Sequence, residues 1–304
     1  MVLKNIPWGK RTIKPALSDK LFDLAIYFLL GLALAAVLYP LYFMSIASIS
    51  EPNALYQGRV IFLPKDITYL GYQRIFSNTV IFRSYINSIT YTLAGVLVSL
   101  VLTIPTAFAL SRPELPGRAV ILKLMIFTMY FYGGMVPLYI VVRGFRLLNT
   151  MWALILPTAI VTYNLIVARS FYISMIPGEL FEASVLDGCN YTKFFFYIVL
   201  PLSKAIIAVM VLFYATKMWN GFMDALIYLN SENKFPLQLV LRNILLQSQA
   251  LTLLDDSTAV AEQQKATELI KYGVVVVASL PMLCLYPFIQ KHFVSGVMIG
   301  AVKG

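Results

Sequence analysis

Residues 176–201 read IPGELFEASVLDGCNYTKFFFYIVLP, and the fold turns on how this stretch joins the chain before it to the chain after it. Pro177 and Gly178 stop the apolar segment that precedes them. Glu179 and Glu182 then fall in the opening turns of a new short helix, where the positive end of the helix dipole favours carboxylates. Leu180, Ala183 and Leu186 recur at a spacing of three and are expected on one face. Asp187 adds a third acid, and Gly188 suits the position that closes a helix. The result is a short amphipathic helix joined tightly to a long apolar run. So placed, such a helix can lie on a membrane, pack within its own chain or dock into a partner.

The flanks decide the class. The chain has 304 residues, 60% hydrophobic and 12% charged. A soluble domain is about 45–50% apolar and about 25% charged. The apolar residues fall in blocks over 21–48, 85–110, 119–142, 151–172, 196–218 and 271–289. Each is long enough for a membrane crossing, which takes about 20 residues. The expectation is an all-α membrane protein with about six transmembrane helices. The transmembrane domain covers 21–289, between a polar N-terminal segment 1–20 and a tail 290–304. The first block is longer than a signal-peptide core and lacks a small-residue cleavage site, so it reads as a retained helix. Residues 49–83 read as an external loop. Residues 219–270 are too polar to span throughout, with 236–254 expected to re-enter or lie on the outer surface.

The net charge of +10 fits membrane topology, since basic residues collect beside cytoplasmic helix ends. Lys4, Lys10, Arg11, Lys14 and Lys20 place the N-terminus there, and Arg112, Arg118, Lys193, Lys291 and Lys303 agree. Arg143 and Arg146 run against the rule. No basic patch alternates with aromatics as nucleic-acid grooves do, so no nucleic acid is expected. Cys189 and Cys284 lie far apart, and no pair has metal-ligand spacing. His292, beside Lys291, reads as a solvated flank. Pro105, Gly133 with Gly134, Pro137, Pro157 and Pro281 mark expected breaks within spans. The sequence has no Gly-x4-Gly-Lys-Ser/Thr phosphate cradle, no His-Glu-x-x-His and no Gly-x-Ser-x-Gly, so it lacks the residues for nucleotide hydrolysis of its own.

The segment resembles the EAA loop of binding-protein-dependent import permeases of the ATP-binding-cassette (ABC) superfamily. That pattern is Glu-Ala-Ala, three residues, Gly, nine residues, then Ile-x-Leu-Pro. Here Glu182, Ala183, Gly188, Ile198, Leu200 and Pro201 keep those intervals, and Ser184 replaces the second Ala. Residues 127–139 (FTMYFYGGMVPLY), 148–152 (LNTMW) and 296–304 (GVMIGAVKG) are similar to the carbohydrate-importer branch. More narrowly they resemble permeases for complex oligosaccharides and polysaccharide fragments, a group that includes the alginate importer. The resemblance implies a type I importer fold and a cytoplasmic coupling helix bearing Glu179, Glu182, Ala183, Ser184, Asp187 and Gly188. It implies a homologous second permease subunit, an ATPase dimer carrying ATP and Mg, and a periplasmic or extracellular solute-binding protein. The chain itself would hold no cofactor. It would sit among the lipids of the bacterial inner (cytoplasmic) membrane with both termini cytoplasmic.

Polar groups inside a membrane are costly and tend to face a bundle interior or a pathway. Candidates for the sugar pathway are Asn87 with Ser88, Tyr130, Tyr132, Asn164, Tyr214, Trp219, Asn220 and Asp224. Interhelical hydrogen bonding or an interfacial aromatic belt explains any one of them as well. An anionic sugar would favour Lys217 or Arg242. Two other readings stay open: an ABC permease for peptides or other small solutes, and an ion-coupled secondary transporter. The second needs ionisable residues within spans, and Asp23, Lys123 and Arg169 all fall near span ends. A membrane scaffold explains the hydrophobicity but not the EAA spacing.

Overall fold

The computed structural model describes residues 17–251, 267, 270–285 and 287. Residues 1–16, including four of the five basic residues of the N-terminal segment, lie outside the described residues, as do 252–266, His292 and the 290–304 tail. Among the described residues every regular element is helical. The chain divides into two units, one up to Ile67 and one from Thr68.

The first unit is built on α1 (Leu17–Ala47), which is exposed along its apolar length from Lys20 to Tyr42. An apolar helix with no covering in its own unit is what lipid or another apolar surface stabilises. Its far end packs on α2 (Pro52–Tyr56), where Ile46, Ala54 and Val60 form a small core. The Tyr39 hydroxyl donates to the Ile61 carbonyl at 3.3 Å, and Tyr42 donates to the Phe62 carbonyl. Arg59 and Asp66 pair at 3.5 Å. The stretch expected as an external loop thus carries short helical turns.

The second unit begins with α3 (Leu70–Ser77) and α4 (Thr79–Ser111). Asn78 starts α4: its side chain accepts the Val80 and Ile81 N–H groups at 2.9 and 3.2 Å. This N-cap sets the second long helix at Thr79 rather than the expected 85, because it satisfies donors that a helix start leaves orphaned. Helix α4 is inside-out by the standard of soluble proteins. Ser84, Ser88, Gly95, Ser99, Thr103 and Ala107 are buried, while Leu93, Leu97 and Val101 are exposed. Small residues inward and large apolar ones outward suit close helix packing within lipid. A Cβ on Gly95 would lie 2.9 Å from the Met218 sulfur, so glycine there permits α4 to cross close to the helix that carries Met218.

The remaining apolar segments are bent. Helix α5 (Arg118–Tyr130) and α6 (Met135–Gly144) meet at 117°, so the third span expected at 119–142 is two legs. Gly134, at φ +92°, supplies a conformation that L side chains rarely adopt. Helix α7 (Trp152–Ile155), a 3-10 turn (Leu156–Thr158) and α8 (Thr162–Met175) bend by 51° beyond Pro157. After α9 (Gly178–Leu186), helix α10 (Tyr191–Phe194), a π-turn (Phe195–Val199) and α11 (Leu200–Leu202) form one leg. It meets α12 (Lys204–Asn220) at 78°. The expected fifth helix at 196–218 therefore starts its long leg only at Lys204. Pro201 cannot donate to the helical ladder, and the widened π-turn before it absorbs the disruption. Helix α13 (Met223–Tyr228), a 3-10 turn (Glu232–Lys234) and α14 (Leu237–Leu251) follow. Leu237, Leu239 and Val240 of α14 are buried, so this stretch packs into the unit's core. The last described helix, α15 (Ile270–Leu285), coincides with the sixth apolar block. Among the described residues two helices are long and apolar enough to cross a membrane unbroken, and up to five candidates result when each bent pair counts as one.

Candidate functional site

Helix α9 is built as its sequence prescribes at both ends. Pro177 is the extended N-cap and Glu179 lies in the first turn. At the other end Gly188 has φ +77°. Its N–H reaches the Val185 carbonyl at 2.9 Å, and the Cys189 N–H reaches the Ser184 carbonyl at 3.0 Å. These two bonds are the Schellman closure, which needs a residue in the left-handed region.

The expected apolar face needs correction. Leu180 and Phe181 pack inward, and Ser184 is buried with its hydroxyl on the Phe181 carbonyl at 2.7 Å. Glu179, Glu182, Ala183 and Leu186 form the outward stripe, with Leu186 91% exposed. Positions i, i+3, i+4 and i+7 share a helix face, whereas a strict spacing of three drifts around the axis. The outward stripe thus offers two carboxylates and an uncovered leucine. Inward, Phe181 stacks on Tyr191 (4.2 Å between ring centroids) and meets Phe194 edge-on at 5.1 Å. Phe108 of α4 continues the run, 6.1 Å from Phe194 and 5.8 Å from Tyr172 of α8.

A cleft of about 180 Å³ opens between α4, the α7–α8 bend, α12 and α13. Ser88 and Tyr91 line one wall, Thr158 another, and Lys217 and Asp224 bring opposite charges to it. The Lys217 ammonium reaches the Thr158 carbonyl at 3.5 Å. The two opposite charges act on each other across this partly enclosed space, each favouring the other's charged form against the cost of burial.

The other pathway candidates are placed differently. Asn87 donates to the Asn233 and Phe235 carbonyls at 2.9 and 3.1 Å, and the Ser88 hydroxyl accepts the Leu237 N–H at 2.8 Å. Trp219 is buried, with its indole N–H on the Ala278 carbonyl at 3.0 Å and its ring edge-on to Tyr85. Tyr214 is buried, its hydroxyl 2.6 Å from that of Thr103 and accepting the Val161 N–H at 3.4 Å. Asn164 is buried on α8, and Asn220 is exposed. Tyr130 and Tyr132 flank the α5–α6 break and are 80% and 67% exposed. Of the residues singled out from sequence, Ser88, Lys217 and Asp224 line the cleft. Tyr91 and Thr158 were not singled out from sequence, because tyrosine and threonine are ordinary in spans. Asn149 was likewise missed, although it lies in the 148–152 stretch. At φ +58° its side chain accepts the Asn230 and Ser231 N–H groups, both at 3.2 Å, and donates to the Ser231 hydroxyl at 2.9 Å. Its carbonyl takes the Lys234 ammonium at 2.7 Å, which fixes the turn behind the cleft.

Comparison with known proteins decides the family. The chain is 42% identical over 289 residues to the polygalacturonan/rhamnogalacturonan transport system permease protein YtcP of Bacillus subtilis, covering 95% of this chain and all of that one. It belongs to the permeases of sugar ABC transporters. The permease is also 40% identical to Protein LplC of the same organism, over 94% of this chain and 96% of that one. Its fold matches a chain in the crystal structure of a bacterial ABC transporter involved in the import of the acidic polysaccharide alginate. That match has a TM-score of 0.82 and 32% identity, over 92% of this chain and 99% of the other. No family model matches the chain. The permease is a multi-pass membrane protein and not an enzyme, since ATP hydrolysis in this family belongs to a partner ATPase. The family also implies a second permease and a solute-binding protein.

Proposed function

We propose that this permease carries acidic oligosaccharides, fragments of a uronic-acid polymer, into bacteria across the inner (cytoplasmic) membrane. One observation carries the reading: two near-full-length likenesses, at 42% and 32% identity, are to transport systems named for polygalacturonan and alginate, both polymers of sugar acids. The higher identity favours a pectic fragment over alginate. Lys217 in the cleft supplies the cation that a uronate carboxylate needs, and Ser88, Tyr91 and Asp224 supply partners for hydroxyls. Tyr130 and Tyr132 offer aromatic faces for sugar rings. Asn87, Asn164, Tyr214, Trp219 and Asn220 act around this pathway, chiefly by holding its walls.

In this account 21–289 is the membrane domain, and both termini, with 1–20 and 290–304, are cytoplasmic. A homologous permease completes the pathway, and an external binding protein delivers the sugar. An ATPase dimer, with ATP and Mg, receives the outward stripe of α9. Glu179, Glu182, Ala183 and Leu186 form the contact, while Ser184, Asp187 and Gly188 shape it. Closure of the ATPase dimer moves α9, and the bent helices rearrange about the site to expose it alternately to each side.

The test is ATP hydrolysis by the complex in liposomes with its binding protein, screened against galacturonate, guluronate–mannuronate and neutral oligosaccharides. Stimulation by acidic fragments, galacturonate most strongly, is expected. Stimulation by neutral sugars alone would discard the acidic cargo and keep the machine.

A further inference from the structure

Two arginines tie α4 to α8 in a reciprocal way. Arg112, the C-cap of α4, is buried, and its guanidinium donates at 3.0 Å to the carbonyl of Ile176, the C-cap of α8. Arg169 of α8 donates at 2.9 Å to the carbonyl of Leu110, in the last turn of α4. Each helix therefore has a carbonyl at its negative end satisfied by the other helix's cation. The last four carbonyls of a helix have no partner within it, and a guanidinium is favoured there by charge and by hydrogen bonding. Arg112 also lies 5.0 Å from the Phe108 ring centroid, its cation over the face. Burial pulls its guanidinium below the usual arginine range, an effect that Glu114 and Tyr191 oppose. Arginine stays charged in such surroundings.

The location gives this pairing a consequence. Ile176 is followed directly by Pro177, the N-cap of α9, so Arg112 grips the root of that helix. At its other end α4 places Ser88 and Tyr91 in the cleft, about 35 Å away at the helical rise of 1.5 Å per residue. Between the two, Gly95 lets α4 seat directly on Met218, which also lines the cleft. Displacement at the root of α9 reaches the cleft through one continuous helix, provided that α4 and α8 do not slip past each other.

We infer that Arg112 and Arg169 form a clamp that makes α4, α8 and α9 one rigid lever, and that they act as positioning residues for coupling hydrolysis to transport. This rests on the reading of α9 as the ATPase-facing helix. The sugar is touched by neither arginine.

The test uses the full complex in liposomes, with Arg112→Met, Arg169→Met, the double variant and Arg112→Lys. Three readouts are taken: co-purification of the ATPase, basal hydrolysis, and the ratio of substrate-stimulated to basal hydrolysis. The clamp predicts intact co-purification and basal rate, with each Met variant losing at least half of the stimulation. The double variant should be no worse than the poorer single one, because both residues act on one joint. Arg112→Lys keeps a cationic donor for the carbonyl and should recover part of the stimulation, a rescue that loss of bulk packing would not show. Should Arg112→Met fail to insert, Arg169→Met and Arg112→Lys carry the decision. Wild-type stimulation in Arg169→Met overturns the clamp. Loss of ATPase co-purification also overturns it, since Arg112 would then be building the docking face itself. Glu182→Lys in the same preparation separates the two readings. If it abolishes stimulation while the arginine variants do not, only the clamp fails. If it too leaves stimulation intact, the docking role of α9 fails with it.

Discussion

Gly188→Ala should weaken docking of the ATPase by an amount the backbone sets. Gly188 sits at φ +77°, and a Cβ built there meets nothing within 4 Å. Sterics with neighbours therefore contribute nothing, and the cost is the left-handed conformation alone, about 1–2 kcal/mol for an L residue. At about 1.4 kcal/mol per tenfold, this is about a 5–30-fold shift against the closed end of α9. The two Schellman bonds from Gly188 and Cys189 open together, so the last turn beneath Leu186 frays. Gly178 is the matched control: it too has open space around it, but it lies at the start of α9 without a positive φ. Alanine there should be neutral or favour the helix by about 0.5–1 kcal/mol. Asparagine at 188 should fall between wild type and alanine, since it tolerates the left-handed region. The assay is titration of ATPase subunits onto the reconstituted permease pair at fixed salt. An apparent Kd unchanged by Gly188→Ala, or raised equally by Gly178→Ala, would refute the argument.

Asn149→Ala removes two acceptor contacts and one donor contact and leaves alanine at positive φ. Such losses cost about 1–3 kcal/mol per unsatisfied group, so the thermal midpoint in detergent should drop clearly; an unchanged midpoint would show the turn to be held elsewhere. Trp219→Phe keeps a ring against Tyr85 but strips the Ala278 carbonyl of its donor. A smaller fall in midpoint is expected, about 1 kcal/mol, and stability equal to wild type would remove that bond from the account. Lys217→Met should reduce stimulation by acidic oligosaccharides more than by neutral ones; equal reduction would make Lys217 a wall residue only.

What the sequence disclosed was local. The ends of α9 were legible because Pro177, Glu179 and Gly188 act within a few residues of themselves. Its faces were not. Leu180 and Leu186 look alike in sequence, yet one packs on Phe108's cluster and the other is 91% exposed. Periodicity assumes that a chain covers its own apolar face, and that assumption fails on a stripe the chain leaves uncovered. The bends follow the same logic. Gly133, Gly134 and Pro157 announced breaks, Pro201 was not read as one and Pro105 lies inside an unbroken α4, while the angles of 117°, 51° and 78° depend on packing between distant segments. Asn87 read as a pathway residue because polar groups in spans draw attention. Its amide holds a carbonyl 146 positions away, a pairing no spacing rule could foresee. Lys217 and Asp224 are close in sequence, but the cleft that joins them also needs α4 and the α7–α8 bend.

Uptake of labelled galacturonate oligosaccharide into proteoliposomes holding the permease pair, ATPase and binding protein tests the central claim most directly. The account predicts accumulation that requires ATP inside and the binding protein outside, and that unlabelled acidic fragments suppress while neutral ones do not. Accumulation of neutral oligosaccharides alone, or acidic uptake that persists without ATP, would contradict it.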